Sequence, residues 1–286
     1  MLIRLGYDIE FNIPQPVAFV TLLGVHPSRE KDLREPDELH IEPAVGAEMY
    51  YDRFGNRCRR FLAPQGKLRL WSSTLVEDTG ATDAINWLAQ QQPVGELPVE
   101  VLPYLMNSRY CEVDLLSTIA TSLFGGTAPG WGRVQAIVNW VNWNVQFGYQ
   151  HARATRTALE VFNERVGVCR DFQHLAVTLC RCMHVPARYA TGYLGDIGVP
   201  TSSSPMDFSA WFEVYLNGSW WTFDARHNEP RIGRVLMATG LDAADVAMTT
   251  SYGMTELTKF NVVTYEAPNF APIQGVRPRT VGSGGV

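Results

Sequence analysis

Six apolar residues at alternate positions, Ile3, Leu5, Tyr7, Ile9, Phe11 and Ile13, interleave with Arg4, Asp8, Glu10 and Asn12. A period of two puts every apolar side chain on one side of an extended chain, which dictates a half-buried antiparallel strand. Strand-like runs follow from Val17 to Val25, Arg57 to Leu62 and Lys67 to Val76, with Phe54-Gly55-Asn56 as a turn between them. No helical period appears before Thr82. A β-sandwich-like N-terminal domain over residues 1–90 is therefore expected. Prolines at 93, 98 and 103, following Gln90-Gln91-Gln92, mark a stiffened linker over 91–104.

Beyond the linker the period becomes helical, so the fold class is α+β with strands first. Leu115, Leu116, Ile119 and Leu123 read as one helix face, stopped by Gly125-Gly126. Val134, Ile137, Val138, Val141 and Val145 form a second stripe, and Thr157 with Glu160 has the capping-box spacing of a third helix. A fourth stripe, Phe172, Leu175, Ala176, Leu179 and Met183, runs up to Pro186, and Ala187 to Leu194 reads as a strand. The Pro/Gly-rich stretch 268–286 is expected to be an extended or disordered tail.

The fourth helix opens at Cys169. A cysteine there meets unpaired N–H groups and the positive end of the helix dipole, both of which favour the nucleophilic thiolate. Its backbone N–H is also a candidate oxyanion donor. Downstream, an alternating strand from Phe208 to Leu216 meets Asn217-Gly218 and a second strand, the signature of a type I′ hairpin. That turn pairs Leu216 with Ser219, Val214 with Trp221 and Trp211 with Asp224, and makes position 209 and Asp224 same-face diagonal neighbours. A histidine at 209 would complete a Cys-His-Asp triad, but the chain carries Ser209. The same register sends His227 to the opposite face. His174 lies off the Cys169 side of its helix, His184 sits at the far end, and His151 falls in a loop.

The strings Gly167–Phe172, Phe208–Tyr215 and Trp221–Asn228 resemble the core of bacterial transglutaminase-like superfamily proteins, a group named as candidate cysteine proteases. The likeness runs from about Leu105 to Asn261. It implies a papain/transglutaminase-like core over 105–267, helices packed on an antiparallel sheet, with Cys169 matching the nucleophile and Asp224 the orienting acid. Ser209 stands where the family has its histidine base. The implied function is cysteine acyl transfer through a thioester (peptidase, amidase or protein-glutamine acyltransferase), with activity lowered or abolished by Ser209. The alternative is a non-catalytic chain that binds peptides or proteins. Trp211 and Tyr149 are candidate groove residues, with sheet packing the more ordinary role for the hairpin aromatics.

Composition narrows the rest. A net charge of −5 supplies no field to recruit nucleic acid or an anionic membrane. Five cysteines at irregular spacing oppose a disulfide framework, and the absence of a signal-peptide pattern after Met1 fits a cytoplasmic protein. There is no His-Glu-x-x-His motif, no Cys/His cluster and no calcium-loop spacing, so no metal and no cofactor are expected. The expected partner is a protein or peptide substrate.

Overall fold

The structure, a computed structural model, describes residues 1–202 and 205–268. The expected tail, from 269 on, lies outside them. The N-terminal unit holds β1 (Leu2–Ile13), β2 (Val17–Thr21), β3 (His40–Glu42), β4 (Glu48–Tyr51), β5 (Arg57–Ala63) and β6 (Gly66–Glu77). The period-two reading of β1 holds residue by residue, for all six of its alternating apolar side chains are buried. They pack with Leu68 and Leu70 of the neighbouring strand β6 against Phe19 and Phe61 of the facing sheet, where the two rings stack 5.6 Å apart.

Next come α1 (Val113–Phe124), α2 (Trp131–Asn144), β7 (Gln146–Phe147), α3 (Ala158–Glu164), β8 (Val166–Gly167) and α4 (Cys169–Cys182). They are followed by β9 (Ala187–Tyr193), β10 (Ser209–Leu216), β11 (Ser219–Phe223) and β12 (Val235–Gly240). Helix α1 ends at Gly125, but its buried face is Leu116, Ala120 and Phe124, whereas Leu115 and Leu123 are exposed. The stripe of α2 is buried in full, and Thr157 caps α3 in a capping box with Glu160. The four core strands form one antiparallel sheet in the order β11-β10-β9-β12. Helix α4 packs on the face carrying Phe212, Val214 and Leu216.

Two last strands, β13 (Thr249–Ser251) and β14 (Glu256–Ala267), leave the core. The first pairs with β2 and the second with β1, giving two four-stranded sheets, β14-β1-β6-β3 and β13-β2-β5-β4. Residues 249–267, expected with the core, thus complete the N-terminal sandwich instead. An edge strand has unpaired N–H and C=O groups, and β1 without β14 would expose one long row of them.

Helix α4 departs from an amphipathic reading, since every residue from Asp171 to Cys182 is buried. A helix buried all round must satisfy its polar side chains internally. Arg181 does so by donating to the carbonyls of Ala187, Leu241 and Met106 and to the Ser108 hydroxyl. His174 Nε2 accepts the Ala243 N–H, and Gln173 spans from β10 to Asp224. The helix is thereby fixed on all sides and holds its first residue in place.

Candidate functional site

Entry into α4 is set by Asp171, whose carboxylate reaches back to accept the Val168 N–H at 3.0 Å and is neutralised by Arg156 and Arg170. Gly167 makes room for it, since a Cβ there would lie 2.6 Å from the Asp171 Cβ. Cys169 follows as the first helical residue. It is a free thiol like the other four cysteines, which are buried, whereas Cys169 is half-buried and opens onto two pockets.

One pocket is small and polar, about 120 Å³, and contains Tyr149, Asp207, Ser209, Arg226 and His227 beside Cys169. The other, about 480 Å³, is largely apolar, walled by Phe11 of β1, Leu257 and Phe260 of β14, Tyr189, Val246 and Met248. Burial pushes the Cys169 thiol up to about 11; Arg226 and the Arg170 N–H pull it down, and the negative charges of Asp207 and Asp224 oppose them. The sequence expectation of a low-pKa thiolate is therefore reversed. A helix start favours the anion, but desolvation together with two nearby carboxylates outweighs it. The resting sulfur carries its proton, which a base must take.

Asp224 is buried behind the polar pocket. Its Oδ1 accepts from Gln173 Nε2 at 3.0 Å and from the backbone N–H groups of Arg226 and His227 at 2.9 and 3.1 Å. Oδ2 lies 2.8 Å from His227 Nδ1 and 3.0 Å from Arg234 Nη2. Burial alone would raise this carboxyl, yet the Arg234 guanidinium and His227 hold it well below the usual range, so it stays ionised.

The hairpin register is as expected for Leu216–Ser219 and Val214–Trp221, but pairing stops at Phe212–Phe223. Asp224 then caps a turn, and that turn folds His227 back onto Asp224 and into the polar pocket rather than away from it. The expectation for His227 is corrected on this ground: side-chain alternation ends where the ladder ends. Ser209, the first residue of β10, lines both pockets, but Asp224 takes its partners elsewhere. Tyr149 lies in the polar pocket with Cys169. Trp211 does not belong to either pocket; it is buried away from α4, with the Arg234 guanidinium 5.2 Å above its ring. Asp207, Gln173, Arg226 and Arg234 are site residues that sequence reasoning did not single out. Among the described residues no cluster of three or more His, Cys, Asp or Glu side chains could hold a metal, and no helix is long and apolar enough to cross a membrane.

The chain is similar in sequence and fold to known proteins. Residues 117–225 match the family model described as the transglutaminase-like superfamily. That stretch includes Cys169, Ser209 and Asp224 and ends just before His227. A crystal structure named "Putative Cysteine Protease", from Cytophaga hutchinsonii, is 29% identical and superposes with a TM-score of 0.80 over 95% of this chain and 93% of that one. The Uncharacterized protein ML0607 of Mycobacterium leprae (strain TN) is 25% identical over 214 residues, 72% of this chain and 75% of the relative. The helices and antiparallel sheet around Cys169 are thus a transglutaminase-like core, preceded by strands.

Proposed function

We propose that this chain is a cysteine acyl-transfer enzyme, acting on an amide carbonyl of a protein or peptide. The observation that carries it is the position of Cys169: a thiol at the start of a helix buried from Asp171 on, opening on one side to an apolar groove and on the other to a polar pocket whose His227 contacts ionised Asp224. In this reading the groove takes an apolar side chain flanking the scissile carbonyl. The thiolate attacks the carbonyl carbon, the Cys169 backbone N–H stabilises the oxyanion, and a thioester results. Tyr149 borders the pocket through which the acyl acceptor enters.

A second reading, peptide binding without turnover, is favoured by Ser209. A serine hydroxyl does not take a proton from a thiol near neutral pH, and this thiol holds its proton firmly. Incubation with excess p-nitrophenyl acetate separates the two. Acyl transfer gives an acetyl group on Cys169 that is then passed on, with nitrophenolate release beyond one equivalent per chain that Cys169→Ala abolishes, whereas release that stops at one equivalent supports binding without turnover. Equal release from Cys169→Ala refutes the enzyme reading.

A further inference from the structure

We propose that His227, on the turn after β11, is the general base and acid for Cys169 and does the work that residue 209 cannot. This rests on the reading of Cys169 as the nucleophile. The two side chains line one pocket, and the His227 side chain is 22% exposed there, so a substrate can reach it.

Tautomer chemistry supports the assignment. An ionised carboxylate only accepts hydrogen bonds, so the 2.8 Å contact between Asp224 Oδ2 and Nδ1 requires that Nδ1 carry the proton. Nε2 is then the basic nitrogen, and among the described residues it has no hydrogen-bond partner. The ring is held at both ends of its residue, by the backbone N–H to Asp224 Oδ1 and by Nδ1 to Oδ2. Asp224 is in turn fixed by Gln173 of α4, the helix that presents Cys169, and by Arg234. One rigid chain of contacts therefore joins nucleophile and imidazole.

Each proton has a place. As Sγ bonds to the carbonyl carbon, its proton passes to Nε2 and the carbonyl π pair moves onto oxygen. Collapse of that oxyanion breaks the C–N bond, and Nε2–H returns the proton to the departing amine. An incoming water or amine gives its proton to Nε2 while it attacks the thioester, and the sulfur leaves with that proton.

Asp207 is the rival base, since it lines both pockets beside the thiol and burial raises its carboxyl. A carboxylate there disfavours the neighbouring thiolate, whereas an imidazolium would stabilise it. Arg226 and Tyr149 face the same space, and neither is a base near neutral pH.

The test is the rate of Cys169 acetylation by p-nitrophenyl acetate for the intact chain, His227→Ala and Asp207→Asn, with Cys169→Ala as blank. Rates are taken between about pH 5 and pH 9. His227→Ala should slow acetylation about 10²-fold or more, alter the pH profile, and recover with added imidazole. His227→Gln, which keeps a donor toward Asp224, replaces the alanine variant if the latter does not fold. Asp207→Asn should accelerate the reaction by removing a charge that opposes the thiolate. If Cys169 is acetylated and the His227 variants match the intact chain in rate and pH profile, or Asp207→Asn is the slow one, His227 is not the base. If no chain acetylates Cys169, the nucleophile reading itself fails.

Discussion

Asp224→Asn replaces one oxygen by an amide nitrogen at a carboxylate whose acceptor sites are filled by Gln173, two backbone N–H groups, His227 and Arg234. An asparagine oxygen can keep the Oδ1 set. Its –NH₂ then faces the N–H groups of His227 and Arg234, donor against donor. Arg234 is 9% exposed and keeps Asp83 alone, at 2.8 Å, to balance its charge. Breaking a buried, hydrogen-bonded ion pair costs about 3–5 kcal/mol. With an unfolding entropy near 2.1 cal/mol/K per residue, 286 residues convert this to a fall in Tm of about 5–8 °C. Its pH signature is specific. The folded carboxyl sits below its unfolded value of about 3.9, so its stabilisation is fully present above about pH 4 and is lost as pH falls toward the folded pKa. Calorimetry of both chains should give a Tm difference that is flat from about pH 8 to pH 5 and narrows below about pH 4. A difference under about 2 °C at neutral pH, or one that does not narrow in acid, would refute the ion-pair account.

Gly167→Ala should destabilise by about 1–3 kcal/mol, because the added Cβ meets the Asp171 Cβ at 2.6 Å and both belong to the entry of α4; urea titration measures it. Thr157→Ala removes the cap that accepts the Glu160 N–H and should cost about 1 kcal/mol in the same assay, with no change in Cys169 chemistry. Arg181→Met leaves the Ala187, Leu241 and Met106 carbonyls without their donor, at about 1–3 kcal/mol each. An unchanged denaturation midpoint in that variant would show water taking over the role of the guanidinium. Phe260→Asn puts a neutral polar group into the wall of the apolar groove and, on the proposed function, should raise KM for substrates with an apolar flanking residue while leaving acetylation by p-nitrophenyl acetate near its original rate.

The hairpin was legible because its turn chemistry is local: Asn217 and Gly218 both adopt positive φ, and the register follows from the loop length. Cys169 was legible for a similar reason, a helix start marked by the change of period. Where the ladder ends is less legible. Phe223 to Arg226 still alternate in sequence, yet Asp224 Oδ1 accepts the Arg226 and His227 N–H groups and closes a turn there, and Gln173 and Arg234, brought in by other elements, fix that carboxylate. Extending the strand alternation therefore puts His227 on the wrong face. The thiol pKa failed for the same reason, since the desolvation and the Asp207 charge that raise it come from tertiary packing. Helix α4 shows the limit from another side: Gln173, His174 and Arg181 read as a solvent face until partners far along the chain bury them.

Leu2 pairs with Ala267, and the groove beside Cys169 is walled by Phe11 from one arm of that pairing and by Leu257 and Phe260 from the other. During synthesis, β1 must wait for β14 while the whole helical core emerges between them. Until β14 docks, the groove beside Cys169 lacks the wall that Leu257 and Phe260 supply, so the apolar pocket is completed by the pairing of strands from the two ends of the described chain.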